Sequence, residues 1–532
     1  MLKESLTVSQ LANDGPAKML VYARWFLLGI CIQFPVVGQA KLELLEAVRS
    51  GLQRNPQLDS QRAQIGIAAG AKQFETGAFD PLMQSGFENT LTNAATLIPG
   101  NPAQIGPETR TFAQNAMSLG ASKLFRNGIS VSPSYSTLRT SNSLLYPKGY
   151  SSTLVGISVS IPLLRGRGAV VVAARERAAS LEVRASEFDL DFAIANIARI
   201  VGNAYWNLVA AYRNLDVATA SARRGQIYVD NTQALIEADH VPRSDLFGVT
   251  GNLTRRRALQ ITAENLVISA RQNLAVASGL SAEEITTELL EPADDFPETP
   301  NGELPSNLPL SLGKGLQKAL GQRADYLAAL TRKEKATTLL PAAQNALLPN
   351  VSLTAGSGYE GLRAGGSLGD FLASPVGGLR GPNVTGGISF SVPMNRNSAY
   401  GTLQQTRAGV LQADALVRDT ARFVSQGVTV AVANVRASIQ RVEVTRVAVE
   451  AITNALNGVR EKYIAGIGSV VEILQMEDTL NSALADEVQA RFEYALSLIQ
   501  YRFATGTLVP AGQAAPVIER KAFFDPIPNV EP

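Results

Sequence analysis

One short segment occurs twice in this chain. Gly156-Ile157-Ser158-Val159-Ser160-Ile161-Pro162 returns as Gly387-Ile388-Ser389-Phe390-Ser391-Val392-Pro393. Each copy alternates apolar with small or polar residues, ends in proline and runs into a long stretch without proline. A two-fold repeat of strand followed by long helix restricts the architecture more than any single residue does. It overrides the about three or four domains that length alone would suggest.

The repeated unit reads as helix, β-strands, long helix and returning helix. The first copy is expected over 41–280, with a helical pattern from about Leu42 to Gly77 broken at Asn55-Pro56, β-strands over about 85–162 and a long helical hairpin over 168–278. The second is expected over 314–508, with an opening helix, a β-hairpin over about 351–393 and a helical hairpin over 398–505. A linker rich in proline and acid, 281–313, separates the copies, and 509–532 form a tail.

The proline-free stretches set a length scale. From Gly168 to about Ala238 the helix would span roughly 105 Å, and from Ser398 to about Ala465 roughly 100 Å. Helices of that length need neighbours along their whole extent. Val444, Ala448, Ala451, Ala455 and Val459 form one stripe, and Val449, Ile452 and Leu456 form another. Apolar contact on two sides suits a helix in the wall of a tube; an antiparallel coiled coil is the alternative.

In the strands, Ser130, Ser132, Ser134 and Ser136 alternate with Ile129, Val131, Pro133 and Tyr135. One face is therefore apolar and the other small and polar. A half-buried sheet gives that pattern, and so does a membrane barrel with lipid outside and water inside. Asn127-Gly128 reads as a type I′ turn between about Met117–Phe125 and Ile129–Arg139, a hairpin without a counterpart in the second half. The segments Pro99 to Pro107 and Leu362 to Pro382 read as long loops at the outer side of such a barrel.

Composition removes several function classes. No run of about twenty apolar residues follows the N-terminal region, so membrane entry would have to be as a barrel. The formal net charge of +2 argues against a nucleic-acid partner. Arg255-Arg256-Arg257 reads as a solvated helix face. His240 and Cys31 are the single histidine and cysteine, which disfavours imidazole catalysis, metal sites and any cofactor built on them. No Gly-x-Ser-x-Gly elbow, His-Glu-x-x-His or phosphate loop points to an enzyme. Residues 1–40 read as a signal peptide, with the apolar core after Arg24 and a small-x-small site at Gly38-Gln39-Ala40. Met19 is a candidate start within it. A lipoprotein reading at Cys31 fits poorly, because Ile30 stands where such signals carry a small residue.

With those features in place the chain resembles the TolC-like outer-membrane factor family. The resemblance runs from about Leu42 to Leu508 and is carried by Ser160-Ile161-Pro162-Leu163-Leu164-Arg165-Gly166, by Tyr463-x-x-Gly466 and by Ala504-Thr505-Gly506-Thr507-Leu508. It implies an α+β membrane protein: a homotrimer whose copies donate strands to one β-barrel in outer-membrane lipid and helices to one periplasmic α-helical barrel. The implied function is a passive exit duct for a tripartite efflux pump or type I secretion system, partnered by a periplasmic adaptor and an inner-membrane transporter. A helical tether with a plugged barrel shares every feature except conduction. Four strands per copy would give the family's twelve-stranded barrel, and the Asn127-Gly128 hairpin leaves that count open.

Pro162 and Pro393 are expected at the junction of strand and helix, where a missing ladder donor and a preset dihedral both fit. The resemblance places the gate at the two helical turns. Asp245 and Tyr463 stand where the family carries a constriction aspartate and a gating tyrosine, but Gly468 replaces the arginine of the lock. Of the family's paired acidic ring, Glu472 is retained and Gln475 is neutral. Arg243 or Lys462 are the substitutes that proximity in sequence offers. Pro242, Ser244, Gly466, Gly468 and Ser469 are the expected adaptor-contact positions, with Gly466 permitting the turn and Ser469 and Glu472 forming a capping-box pattern.

Overall fold

The computed structural model describes residues 41–96, 108–143, 146–287, 290–299, 312–365, 367, 369, 371, 379–465, 467–509 and 518–525. The signal-peptide reading of 1–40, the loop from Pro99 to Pro107, part of the loop from Leu362 to Pro382, Gly466 and parts of the linker and tail lie outside them.

Both halves open with a pair of helices of the same lengths. In the first half these are α1 (Leu44–Arg54) and α2 (Pro56–Gly77), 11 and 22 residues long. In the second they are α7 (Leu312–Gln322) and α8 (Ala324–Asn345), also 11 and 22 residues. The break at Asn55-Pro56 is a cap: the Asn55 side chain accepts the Gln57 N–H, and proline follows at the first helical position, where its missing donor costs nothing.

The long elements follow. After a four-residue turn of helix, α3 (Ala169–Val172), α4 (Ala174–Glu237) runs 64 residues and returns as α5 (Ser244–Ala277), 34 residues; the short α6 (Ala282–Thr287) ends the first half. The proline-free stretch is thus broken once, at Ala173. In the second half α9 (Asn397–Ile464) runs 68 residues and returns as α10 (Val470–Ala504), 35 residues; α11 (Lys521–Phe524) closes the described chain. Side by side the long helices form a layer in the order α5, α4, α10, α9. Among the described residues no helix is long and apolar enough to cross a membrane.

Each long helix ends by reversing hydrogen bonds. After α5, Leu280 N–H reaches Ala275 O and Gly279 N–H reaches Val276 O; after α10, Thr507 N–H reaches Arg502 O and Gly506 N–H reaches Phe503 O. These are Schellman ends, and they require a left-handed residue, here Gly279 at φ 74° and Gly506 at φ 72°. The two glycines play equivalent roles: a Cβ on Gly279 would meet the Arg54–Asn55 backbone, and one on Gly506 the Gln322–Arg323 backbone. Each return helix therefore closes against the kink between the opening helices of its own half.

The core lies where the opening helices meet α4. Tyr205, Trp206, Leu208, Leu44, Leu58, Leu274, Ile499 and Phe523 are buried in one cluster. The linker is tied to the same place. β1 (Lys41–Leu42) pairs in parallel with β6 (Glu291–Pro292), and the Tyr205 hydroxyl accepts the Asp294 N–H at 3.0 Å while lying 3.0 Å from the Leu42 carbonyl.

Among the described residues the sheet contains six antiparallel strands: β2 (Leu82–Thr96), β3 (Glu108–Leu124), β4 (Ser130–Asn142), β5 (Tyr146–Pro162), β7 (Asn350–Ala364) and β8 (Leu379–Ser391), adjacent in that order. Four come from the first half and two from the second. Register carries one polar rung, Gln84–Gly120–Ser134–Gly156–Gly358–Asn383, across all six strands. The neighbouring rung on the opposite face is Ser85–Leu119–Tyr135–Val155–Tyr359–Pro382. The alternation expected in single strands is thus a property of the whole sheet: one face apolar, the other small and polar.

The turn between β3 and β4 differs from the type I′ expectation. Phe125 N–H bonds Ile129 O and Gly128 N–H bonds Phe125 O, so Arg126-Asn127-Gly128 form a three-residue loop. Only Gly128, at φ 95°, is left-handed; a type I′ turn would need Asn127 there too. The reason is tertiary. Gly128 lies against Gly166, and Gly168 N–H bonds the Asn127 carbonyl, so the turn is docked on the strand–helix junction.

Candidate functional site

The end of the helical layer remote from the sheet holds the two turns. In the first, His240 N–H bonds Leu235 O and Asp239 N–H bonds Ile236 O, with Asp239 left-handed at φ 57° where glycine is usual. In the second, Ile467 N–H bonds Lys462 O in the same pattern. The two helices that follow start differently. Ser469 caps α10 by accepting the Val471 N–H, at the second rather than the third helical residue, whereas Arg243 precedes α5 without a side-chain cap.

Asp245 stands near enough to Tyr463 for its charge to act on the phenol. Burial raises the Tyr463 hydroxyl pKa, and the charge of Asp245 raises it further. Asp245 lies in the first turn of α5, where the helix dipole favours a carboxylate. Among the described residues neither Arg243 nor Lys462 forms an ion pair with Asp245. Gly468 is packed against the opposite limb of its own turn: a Cβ there would stand 2.8 Å from the Tyr463 backbone nitrogen. A side chain as large as arginine therefore has no place at this position without moving the turn. Pro242, Ser244 and Ser469 are exposed, and Glu472 and Gln475 share an exposed face of α10. Gly466 lies outside the described residues.

Pro162 and Pro393 end strands and do not begin helices. Pro162 is the last residue of β5, paired with Ser352, and Leu163–Gly168 separate it from α3. Pro393 follows β8, and α9 begins at Asn397 after a left-handed Arg396 at φ 49°. What proline supplies here is the missing ladder donor, not a first helical turn.

Sequence reasoning missed a charged cluster about two helical turns above the tip. The Glu477 carboxylate on α10 is fully buried (0% exposed). It accepts from Arg224 Nε on α4 at 2.8 Å, from Arg460 on α9 at 2.6 Å and from the Tyr228 hydroxyl on α4 at 2.9 Å. Arg256 on α5, 1% exposed, lies 3.6 Å away and also donates to the Ser221 carbonyl at 3.3 Å, the Ser221 hydroxyl at 3.1 Å and Asp478 at 3.2 Å. Arg255 completes the set on Asp478. The middle of the Arg255-Arg256-Arg257 run is thus buried, contrary to the solvated-face expectation. Gly225, one helical turn beyond Ser221, leaves room for its stem: a Cβ there would meet Arg256 Cδ at 3.1 Å.

Burial raises the Glu477 pKa, but the hydrogen bond and charge of Arg224, with the hydrogen bonds of Tyr228 and Arg460, outweigh it and hold the carboxyl below the usual range. The cluster reaches all four long helices and binds the α4–α5 hairpin to the α9–α10 hairpin. A readable signal was present only in hindsight. Ser221, Arg224 and Tyr228 share one helical face, as do Glu477 and Asn481, but nothing within either segment says that the faces meet.

The flanks of the layer carry the other feature of consequence. On α5, Phe247, Leu259, Ile261 and Leu266 are exposed; on α9, Leu411, Phe423, Val430 and Val444 are exposed. In contrast Leu456 is buried against Ile473 and Leu480 of α10, so of the two stripes on α9 that of Val449, Ile452 and Leu456 is occupied within the chain, while Val444, Ala451 and Ala455 of the other are exposed and its Val459 packs on the same cluster as Leu456.

The comparisons agree with this architecture. The family model described as outer membrane efflux protein matches residues 127–280 and 315–507. Outer membrane protein TolC of Escherichia coli is 23% identical over 340 residues, 63% of this chain and 65% of that protein's length. Outer membrane protein TolC of Salmonella enteritidis is 22% identical over 402 residues, 75% of this chain and 76% of that protein. Among solved structures, the Campylobacter jejuni CmeC outer membrane channel shares the fold with a TM-score of 0.60 at 16% identity, over 87% of this chain and 85% of that one.

Proposed function

The chain belongs to the outer membrane efflux protein family, and from that premise we propose that it is a passive exit duct of the outer membrane. Three copies join their sheets into one barrel in lipid and their helical layers into one periplasmic tube. An inner-membrane transporter loads the tube through a periplasmic adaptor seated on the helical tips, in efflux or in type I secretion. The chain performs no bond chemistry; transport follows from opening the tip.

One observation carries this reading: both layers of the protomer end in open flanks. Among the described residues the sheet stops at β2 and β8 with unpaired edges, and the helical layer stops at α5 and α9 with exposed apolar side chains. In lipid an open sheet edge leaves backbone donors and acceptors without water, at a cost of several kcal/mol per group. Copies of the same chain satisfy both flanks at once, and a closed point-group ring is the usual way in which they do so. The apolar sheet face supports the same placement. Met83, Phe87 and Leu91 on β2 cover about 26 Å of strand, close to the apolar band of a membrane barrel.

The closed state is assigned to two features. Asp245 and Tyr463 form the constriction at the turns, and the Glu477 cluster fastens the two hairpins above it. This replaces the arginine lock that Gly468 leaves no room for. The exposed Pro242, Ser244 and Ser469, with Gly468, are the adaptor-facing surface, and Glu472 and Gln475 line the entrance.

Planar-bilayer recording of the purified protein tests the proposal. Small, discrete resting currents are expected, raised by Asp245→Ala and raised further by Glu477→Ala. Bilayers that remain silent for the wild type and both variants would overturn the duct and leave a non-conducting tether.

A further inference from the structure

We infer that the membrane pore of this protein is an eighteen-stranded barrel, built from six strands of each of three copies, and therefore wider than a barrel of four strands per copy would be. The inference rests on the trimeric duct proposed above and specifies its bore.

The alternative is that β2 and β3 form an appended flap, leaving four strands per copy for a twelve-stranded barrel. Three observations oppose this. First, β2 and β3 are full strands of 15 and 17 residues in unbroken register from Leu82↔Ser122 to Thr96↔Glu108. About 9 to 11 residues suffice to cross a membrane. Second, they continue the faces of the sheet. The polar rung that starts at Asn383 on β8 ends at Gln84 on β2, with no change of side. A flap outside the barrel would have to present its polar face somewhere other than the lumen. Third, the hairpin is anchored at its helical end. Arg126, in the β3–β4 turn, makes two hydrogen bonds of 2.7 and 2.6 Å to Glu176 at the start of α4, and stacks 4.9 Å from the Phe79 ring at the end of α2. Gly168 N–H holds the Asn127 carbonyl from the other side.

The occupant of the open edges is then a second copy of this chain. An even number of alternating strands leaves the two edges, β2 and β8, running in opposite directions. A β8 edge therefore meets the β2 edge of the next copy antiparallel, and the pattern continues around the ring without a parallel seam. The two edges also match in chemistry: Met83, Phe87 and Leu91 stand on the same sheet face as Val384, Ile388 and Phe390, all exposed in the lone protomer.

The consequence is a bore. Barrel diameter grows roughly linearly with strand number, so eighteen strands give about 1.5 times the diameter and about 2.2 times the cross-section of twelve. Barrels of this size leave an open aqueous channel. The helical tube is still made of four long helices per copy. Cargo that clears the helical tip then meets a barrel with more room than twelve strands would leave.

Cryo-electron microscopy of the protein in lipid nanodiscs, at a resolution that separates strands, decides the matter. Eighteen strands in a threefold ring, with β8 beside β2 of the next copy, is the expected result. Twelve strands in a threefold ring, with β2 and β3 displaced, would overturn the inference while leaving the duct intact. A particle that is not threefold, or has no closed barrel, would overturn the inference together with the duct on which it rests.

Discussion

The first half of the chain opens with helices of 11 and 22 residues and ends with a return helix of 34; the second opens with 11 and 22 and ends with 35. Between those helices the first half carries four strands of the sheet and the second carries two. The difference lies in what each layer constrains. The two helical hairpins lie side by side and share a tip, so a change in the length of one would displace its turn from the other. A hairpin inserted into an antiparallel sheet lengthens the sheet by two strands and preserves the direction of every neighbour. Duplication followed by unequal change is therefore tolerated in the barrel and resisted in the tube. The matched family segments begin at 127 and 315, which leaves β2 and β3 outside both.

The most severe way to break the pairing of the two hairpins is to remove the carboxylate they share. Glu477→Ala removes the buried carboxylate that Arg224, Arg460 and Tyr228 bond and leaves Arg256 with Asp478 alone, and a loss of about 3 to 5 kcal/mol is expected in urea unfolding. The pH dependence follows from the same group. Its folded-state pKa is depressed, so its contribution is present above the unfolded carboxylate value of about 4.3 and is lost as pH falls through the lower folded value. Glu477→Gln should flatten that acid limb of the stability profile.

Next in size is a test of the equivalence of the two halves. Gly279→Ala forces a left-handed alanine and brings its Cβ to 2.9 Å from the Arg54 carbonyl carbon, whereas at Gly506 the nearest backbone atom is at 3.2 Å. Losses of about 2 to 3 kcal/mol and about 1 to 2 kcal/mol are expected, in that order. Equal values, or the reverse order, would show that the closer backbone approach at Gly279 does not set the cost.

Smaller effects separate the two tip turns. Ser469→Ala removes a helix cap and should cost about 1 kcal/mol, while Arg243→Ala, at an uncapped start, should stay within about 0.5 kcal/mol. Hydrogen exchange over the first turns of α5 and α10 would localise the difference. The smallest change has the opposite sign: Asp239→Gly relieves a left-handed aspartate and should stabilise the first turn by about 0.5 kcal/mol, read as slower exchange at the end of α4.

Much of this architecture is legible along the chain. The absence of proline marks α4 and α9, the glycines at 279 and 506 mark the returns, and serine alternation marks β4, β5 and β8. Each is a local signal with a local cause. β2 is harder to see, since its apolar face, Met83, Phe87 and Leu91, is interrupted by Ser85 and Asn89. The turn at Asn127-Gly128 was recognisable as a hairpin, but its geometry is set by Gly166 and Gly168, some forty residues away. The Glu477 cluster was hidden for the same reason at larger scale. Arg256 and Asp478 are separated by 222 positions, and three consecutive arginines look solvated until the helix that covers them is known. The gate positions taken from the family resemblance fall at the two helical turns, but the missing arginine was explicable only from the packing of Gly468.

The central claim is that this chain forms a ring and not a rod. Negative-stain images of the detergent-purified protein test it most directly. The account predicts a threefold particle with a tube about 100 Å long, the span of the 68 residues of α9 at the helical rise. Single rods, or two-stranded rods of that length, would contradict it.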